Sequence, residues 1–533
     1  MDKRTILALL LILVVFWISS EFIWKRNQPV QPPQQNLTEQ PQQIQQQKTT
    51  EPVQTPNLTE IIIPESEQNI AVNDEIILEN EVIRLRFSNL GAVLKAVELK
   101  SFTLKDKEIL VNLIPQNEEI LGTKLALLSG NISNLNSVTF QYNQEEKGVV
   151  FTALTQFGAI EKSFHINGDY QLDMRIKIES ENQLETYEID FDSGIADTEE
   201  YLKMKSRDYK IVSQVDNILN KITLAKLMKS DQKLNGQVDW AAIKSKYFAM
   251  AIIPDDLIDV DKLTVFSNND SPAMNLQVQT DRGMINHNYQ LYLGPLVTEN
   301  LVSYGNGIEN IVEMDYKWSK WISKGFLIFL SFLYGLIPSW GIVLIIFSIV
   351  LKIILHPLTH KSFESTSKMQ KINPLMKEIQ KKYKSDPQTM NAELKKLYKE
   401  HGVNPLGGCL PMLLQMPILF ALYPILRYSI DLRQASFLWL PDLSEPDPVW
   451  ALPILMAVFM FVQQKLMAPS KQSLADMDEK QQAAQQSQKM MMYFMPIMMF
   501  FIFKGLSSGL VLYWTVFSII GSVQQYFIKK KFE

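Results

Sequence analysis

The chain has a single cysteine, Cys409, which excludes an intramolecular disulfide and any multi-cysteine metal site. Histidine is nearly as scarce, with five in the chain. His165 and His287 lie far apart and sit in no nucleophile or metal motif. His356 and His360 have the i,i+4 spacing of a metal pair, but Pro357 lies between them and HExxH is absent. No Asp or Glu interrupts the long apolar runs, so no acidic residue completes an intramembrane site. No second charge and no paired inverted repeat joins the one lysine found within those runs, which argues against a secondary transporter. Apolar residues are almost missing from Gln28 to Pro56, a stretch of Gln, Pro and Thr that reads as a disordered tether.

What is present is unevenly divided. From Lys317 onward there are 24 Lys and Arg against 13 Asp and Glu, whereas the preceding part has 28 against 44. An asymmetry this large places the two halves in different surroundings. Between about Ile61 and Asp315, Ile83-Leu85-Phe87 and Leu172-Met174-Ile176-Ile178 alternate with polar residues, the period of half-buried strands. Short strands recur between Gly, Asn and Asp turns, which predicts an antiparallel β-sandwich. Helical signal there is confined to pieces such as Val238 to Ala249. The acidic residues of this part are scattered along polar strand faces and give no catalytic signal.

The apolar runs predict six membrane spans. Met1 to Trp24 has Lys3 and Arg4 before Ile6 to Ile18 and no A-x-A-like site after it, so an uncleaved anchor with a cytoplasmic N-terminus is expected. Ser339 to Thr359 is the second span, Pro405 to Tyr428 the third and Trp450 to Met467 the fourth. Met490 to Phe503, with Pro496, is a short fifth, and Ser508 to Phe527 is the sixth, followed by Lys529-Lys530-Lys531. Six spans return the C-terminus to the cytoplasm and leave the acidic domain outside, in agreement with the charge rule. Lys317 to Leu336 puts Lys317, Lys320 and Lys324 on one face and aromatics on the other, which suits an interfacial helix. Lys361 to Gly402 holds ten lysines and five acidic residues and reads as a basic cytoplasmic helical hairpin, with Ser385-Asp386-Pro387 starting its second arm.

Lys352 interrupts the second span. A charge there is costly and marks a functional site by default; the plainer alternative is that it snorkels to the nearer face. The short and proline-bearing spans predict local membrane thinning, which would hydrate the site. Met490, Met491, Met492, Met495, Met498 and Met499 offer an adaptable apolar surface, or plain filler.

Several stretches resemble the YidC/Oxa/Alb insertase family: HPLT from His356, VNPLGGC from Val403, LLQMPI from Leu413, LRQASFLWLPDLSEPDP from Leu432, LPILM from Leu452 and SGLVLYW from Ser508. They occur in the family's order over about 160 residues. The anchor and large outer domain resemble the family's Gram-negative form. The resemblance implies a polytopic α-helical protein of six spans. Its five-helix insertase core would enclose a hydrophilic groove, and a periplasmic antiparallel β-sandwich would be appended. It implies insertion and chaperoning of nascent inner-membrane proteins, alone or with the Sec translocon (SecYEG and SecDF), without enzyme chemistry or cofactor. The partners implied are nascent membrane proteins, the ribosome, the translocon and the lipid bilayer.

The family usually places an arginine at the position matching Lys352; here the charge is kept but the planar fork is lost. Gln415, Tyr513 and Trp514 match other positions facing the groove or the client path. Lys377, Lys381, Lys382, Lys395 and Lys396 of the hairpin suit contact with ribosomal RNA. The expected organisation is an anchor over 1–25, a linker over 26–60, the outer domain over 61–316 and an interfacial helix over 317–337. Spans follow over 338–360, 405–428, 449–467, 490–505 and 508–528. The hairpin occupies 361–404, a periplasmic loop 429–448, a cytoplasmic loop 468–489 and a basic tail 529–533. With no site of its own and a loose tether, the outer domain is expected to be dispensable for a simple client: deletion of about Glu60 to Asp270 should preserve insertion.

Overall fold

The computed structural model describes residues 74–532 apart from 106–107, 129, 131, 181–183, 256–257, 281–283, 314–317, 404–409 and 468–478. The expected anchor and linker lie outside the described residues, as do part of the loop over 468–489 and the start of the span over 405–428. Among the described residues, three antiparallel sheets of four, nine and six strands make up the outer domain. The alternation seen in the sequence sets their faces. In Gln171–Glu179, Leu172, Met174, Ile176 and Ile178 are buried between polar neighbours. In Ile83–Ser88 the residues Ile83, Leu85 and Phe87 do the same. Inward residues of all three sheets meet in one apolar core. Two hairpins turn on pairs of residues with positive φ, Asp216-Asn217 and Asn269-Asp270. That is the two-residue turn whose twist matches the strands, and it favours Asn and Asp.

Val238 to Ala249 is not helical. Val238–Lys244 and the start of Phe248–Pro254 are neighbouring strands at the middle of the nine-stranded sheet. Val238, Ala241 and Ile243 enter the main core, while Trp240 and Ala242 pack with Leu301 and Ile308 on the other side. A strand covered on both faces loses the alternation that would identify it, and its alanines then read as helix.

Among the described residues, seven helices of fourteen or more residues follow: α1 (Lys320–Leu336), α2 (Trp340–Lys382), α3 (Pro387–Glu400), α4 (Leu410–Tyr428), α5 (Ala451–Met467), α6 (Glu479–Phe503) and α7 (Ser508–Phe532). Parts of α2 (Trp340–Ser365) and α7 (Ser508–Lys530) are long and apolar enough to cross a bilayer, and α5 and α6 carry shorter apolar stretches. α7 packs against α2 and α5, α6 against α5, and α1 against α4 and α2. Their shared core includes Leu330, Phe347, Leu422, Met456 and Tyr513.

The second span and the first arm of the hairpin form one helix. Pro357 removes an N–H from its ladder, and two residues on, the Thr359 hydroxyl donates to the carbonyls of Leu355 and His356 at 3.0 and 3.1 Å. The second arm starts where the sequence places it. Asp386 accepts from the amides of Gln388 and Thr389 at 3.1 and 3.2 Å, with Pro387 at the first helical position. Ile372, Leu397 and Val403 hold the two arms together.

The outer domain is seated on the helical part by polar contacts. Arg427, at the end of α4, donates to both carboxylate oxygens of Asp208 at 3.0 and 2.8 Å. Tyr428 donates to Asp208 at 3.2 Å. Arg433 donates to Glu199 at 2.8 Å and to the carbonyl of Thr198 at 3.1 Å. Gln434 donates to the carbonyls of Thr103 and Leu104 at 2.7 and 3.1 Å. Nearby, Glu313 lies among Lys210, Lys221 and Lys244, and their charges hold its carboxyl well below the usual range despite burial. The loop between α4 and α5 is fixed from the other side as well. Its Phe437 ring lies where a side chain on Gly341 would be, 2.1 Å from such a Cβ. The loop's carbonyls at Glu445 and Leu443 accept the first amides of α7, from Ser508 at 2.7 Å and Gly509 at 2.8 Å. Asp447 accepts from Leu452 at 2.7 Å, capping α5.

Candidate functional site

Lys352 lies on α2 and is 5% exposed. Its ammonium lies 4.0 Å from the centre of the Phe517 ring on α7, a cation–π contact strengthened by desolvation. No carboxylate lies within 4 Å of it among the described residues. One turn earlier, the Ser348 hydroxyl donates to Leu344 at 2.6 Å and approaches the Tyr513 carbonyl at 3.5 Å. On the facing helix, Gly521 leaves the space that Lys352 uses. A Cβ there would stand 2.4 Å from the Gln463 amide nitrogen and 3.1 Å from the Lys352 ammonium. Gln463 itself donates to the Ser518 carbonyl at 2.7 Å.

Below Lys352 a cleft of about 450 Å³ opens between α2 and α7. Lys352, His356 and His360 follow one another at i,i+4 along α2, so they descend one wall. Gln524 bridges the walls, its amide nitrogen 3.0 Å from His356 Nδ1 and 3.1 Å from the Thr359 hydroxyl. Apolar residues complete the lining, among them Ile353, Ile520, Val523 and Phe527. Ile353 and Phe527 are 65% and 64% exposed, an apolar exposure that suits lipid contact. An ammonium beside a mostly apolar lining can attract an anion.

The residues singled out from the sequence are only partly brought together. Lys352 and Tyr513 share the Phe517 ring, Tyr513 standing 5.9 Å from it and wholly buried. Its hydroxyl has no hydrogen-bond partner among the described residues. Trp514 turns the other way and packs 5.3 Å from Phe503 of α6. Gln415, on α4, is half-buried and lies outside the cleft lining. Lys381, Lys382, Lys395 and Lys396 are exposed on the hairpin, and Lys377 is half-buried. Gln463, Phe517, Gly521 and Gln524 were missed. A signal for part of this exists: Ser518, Gly521, Ser522 and Gln525 recur at helical spacing through an otherwise apolar run, a small polar stripe on one face.

The role of Gly521 yields a prediction. Gly521→Ala should leave the protein as stable or raise stability by up to about 1 kcal/mol, because alanine is the better helix former. It should still shift Gln463 and Lys352, because such a Cβ would stand 2.4 Å from the one and 3.1 Å from the other. Thermal melts and the rate at which an amine-directed reagent labels Lys352 test this. Unchanged labelling would mean that Lys352 does not lie against Gly521.

The chain matches the family model described as 60Kd inner membrane protein over residues 332–533, and that of the YidC periplasmic domain over 75–329. The membrane protein insertase YidC of Geotalea uraniireducens (strain Rf4) is 32% identical over 557 residues, covering 99% of each chain. That of Syntrophus aciditrophicus (strain SB) is 30% identical over 570 residues, covering 100% of each. Among solved structures, the chain is similar to an active YidC insertase with its first transmembrane domain resolved, at 20% identity and a TM-score of 0.36, covering 88% of this chain and 95% of that one. Identities of 32% and 30% along nearly the whole of both chains show descent, and the protein belongs to the YidC family of membrane protein insertases.

Proposed function

We propose that this chain inserts nascent inner-membrane proteins and helps them fold, alone or with the Sec translocon, using the cleft below Lys352 as a cationic groove. The observation that carries the reading is a nearly fully buried ammonium without a carboxylate partner among the described residues, at the head of a cleft between two membrane-length helices. Six spans place both termini and the hairpin in the cytoplasm and the β-sandwich in the periplasm. A client's short outer segment enters from the cytoplasm, and its acidic residues are drawn toward Lys352. This offsets part of the several kcal/mol per charge that crossing hydrocarbon costs. The apolar segment then leaves sideways into lipid. The exposed lysines at 381, 382, 395 and 396, with Lys377, receive the ribosome through its phosphates.

The test is a stalled ribosome–nascent chain presented to the full protein carrying photoreactive probes at Gln415 and Trp514. Crosslinks from both positions to the client's apolar segment are expected. Clients that insert at the normal rate without crosslinking to either would overturn the proposed path.

A further inference from the structure

The Lys352 cleft is unusual in its donors. Along one wall stand an ammonium and two imidazoles, and no Asp or Glu is among the residues lining the cleft. Lys352 is only 5% exposed, the near neighbour of its ammonium is the face of a phenyl ring at 4.0 Å, and no carboxylate among the described residues pairs with it. A cation so placed is costly unless an anion joins it. Gln524 sharpens the pattern. Its amide nitrogen lies 3.0 Å from His356 Nδ1 and holds that ring against the wall. The rest of the lining is mostly apolar, with Ile353 beside the donors on α2 and with Ile520, Val523 and Phe527 beside Gln524 on α7. Their outward exposure continues the cleft into the surface that lipid would cover. Donors without acids beside a mostly apolar lining select an anionic amphiphile. A sugar or a free metabolite would leave that lining unmatched. The volume, about 450 Å³, is that of a small-ligand site.

We propose that, between clients, the cleft holds the phosphate of an anionic phospholipid. Its phosphodiester oxygens accept from Lys352 and from the imidazole N–H groups below it, and its acyl chains run outward over Ile353 and Phe527. The lipid neutralises the ammonium at rest, and a client carboxylate displaces it. Acidic clients therefore compete with lipid for one cation. The inference rests on the proposed topology only in needing the cleft to face the bilayer. The resting lipid does not require that clients use Lys352, whereas its displacement by a client does.

The experiment uses the full-length protein in nanodiscs of phosphatidylethanolamine with a minor fraction of phosphatidylglycerol. Lipid retained after extraction into mild detergent is identified by mass spectrometry. Wild type and Lys352→Arg should retain phosphatidylglycerol in preference to phosphatidylethanolamine. Lys352→Gln should lose that preference by about tenfold or more, since a charge-assisted phosphate contact is removed. Washing with inorganic phosphate should not displace the lipid; displacement would assign the site to free phosphate and overturn the proposal. Because Lys352→Gln could disturb the fold, a second measurement leaves Lys352 intact. A photoreactive residue in place of Ile353 should crosslink to phosphatidylglycerol well beyond its share of the bilayer. Crosslinking in proportion to bilayer composition would sink the idea, as would equal retention of both lipids by wild type. Neither readout contains ribosome or client, so failure here leaves the insertion reading untouched.

Discussion

Asp208→Ala is expected to unseat the outer domain from the membrane core without unfolding either part. Asp208 and Arg427 are 5% and 6% exposed, and the guanidinium reaches both carboxylate oxygens. Removing one partner of such a pair leaves an uncompensated buried charge, at a cost of about 3–5 kcal/mol. Most domains have no more than 5–15 kcal/mol in total. Here the strained element can escape by separating, because water then reaches Arg427. Distances between spin labels on the outer domain and on the loop after α4 should broaden from one population to many. Arg427→Ala should do the same from the other side. The double exchange Asp208→Arg with Arg427→Asp should recover part of the narrow distribution. A narrow, unshifted distribution for Asp208→Ala would mean that the domain is held by its other contacts.

This seating changes how the outer domain should be tested. Deleting about Glu60 to Asp270 ends within the turn joining Val260–Asn268 to Ser271–Gln279. It would strip partners from two strands and expose Met274, Leu276 and Val278, which are fully buried. An aggregated product would then say nothing about insertion. Removal of the domain through Val312, which takes Leu301 and Ile308 away together with the Trp240 and Ala242 they pack on, frees Arg427 to water and avoids both problems. Dispensability of the whole domain is compatible with strong damage from one point change, because deletion removes the buried environment along with the partner.

Legibility in the sequence follows the range of the interaction. Strands that face water on one side, the Asn and Asp turns, and the Asp386 cap are set by neighbours in the chain, so their pattern is visible. Val238–Lys244 is covered on both faces and loses the pattern. The end of the second span was placed by hydropathy, but nothing in a change from apolar to basic residues stops a helix. α2 therefore continues as the hairpin arm. Lys352 stood out because a charge in an apolar run is costly wherever its partners lie. Its surroundings, Phe517, Gly521 and Gln463, belong to other helices and were readable only as a faint stripe. The Asp208–Arg427 pair joins residues 219 positions apart, and each is an ordinary polar residue in its own stretch.

Lys352 itself should give the most selective effect on function. Lys352→Arg should keep activity, since it retains charge and adds a fork suited to carboxylates. Lys352→Ala and Lys352→Glu should impair insertion of a single-span client with acidic residues in its outer segment. Losing an attraction of about 1.4 kcal/mol at the rate-limiting step would slow that client about tenfold. An otherwise identical client with a neutral outer segment should suffer less, because the cation has nothing to attract. Lys352→Glu should be worse than Lys352→Ala for the acidic client alone, since repulsion is added to the loss. Reconstitution at matched protein levels, with both clients in each variant, separates these terms. The alternative, in which Lys352 merely turns toward the membrane face, predicts that alanine is tolerated by every client, because removing an unpaired charge from a span lowers its free energy in the membrane. The geometry speaks against that alternative: the ammonium lies over Phe517 and beside Gly521, on the side of α2 that meets α7. Equal insertion of both clients by wild type and Lys352→Ala would end the cationic-groove mechanism for this chain.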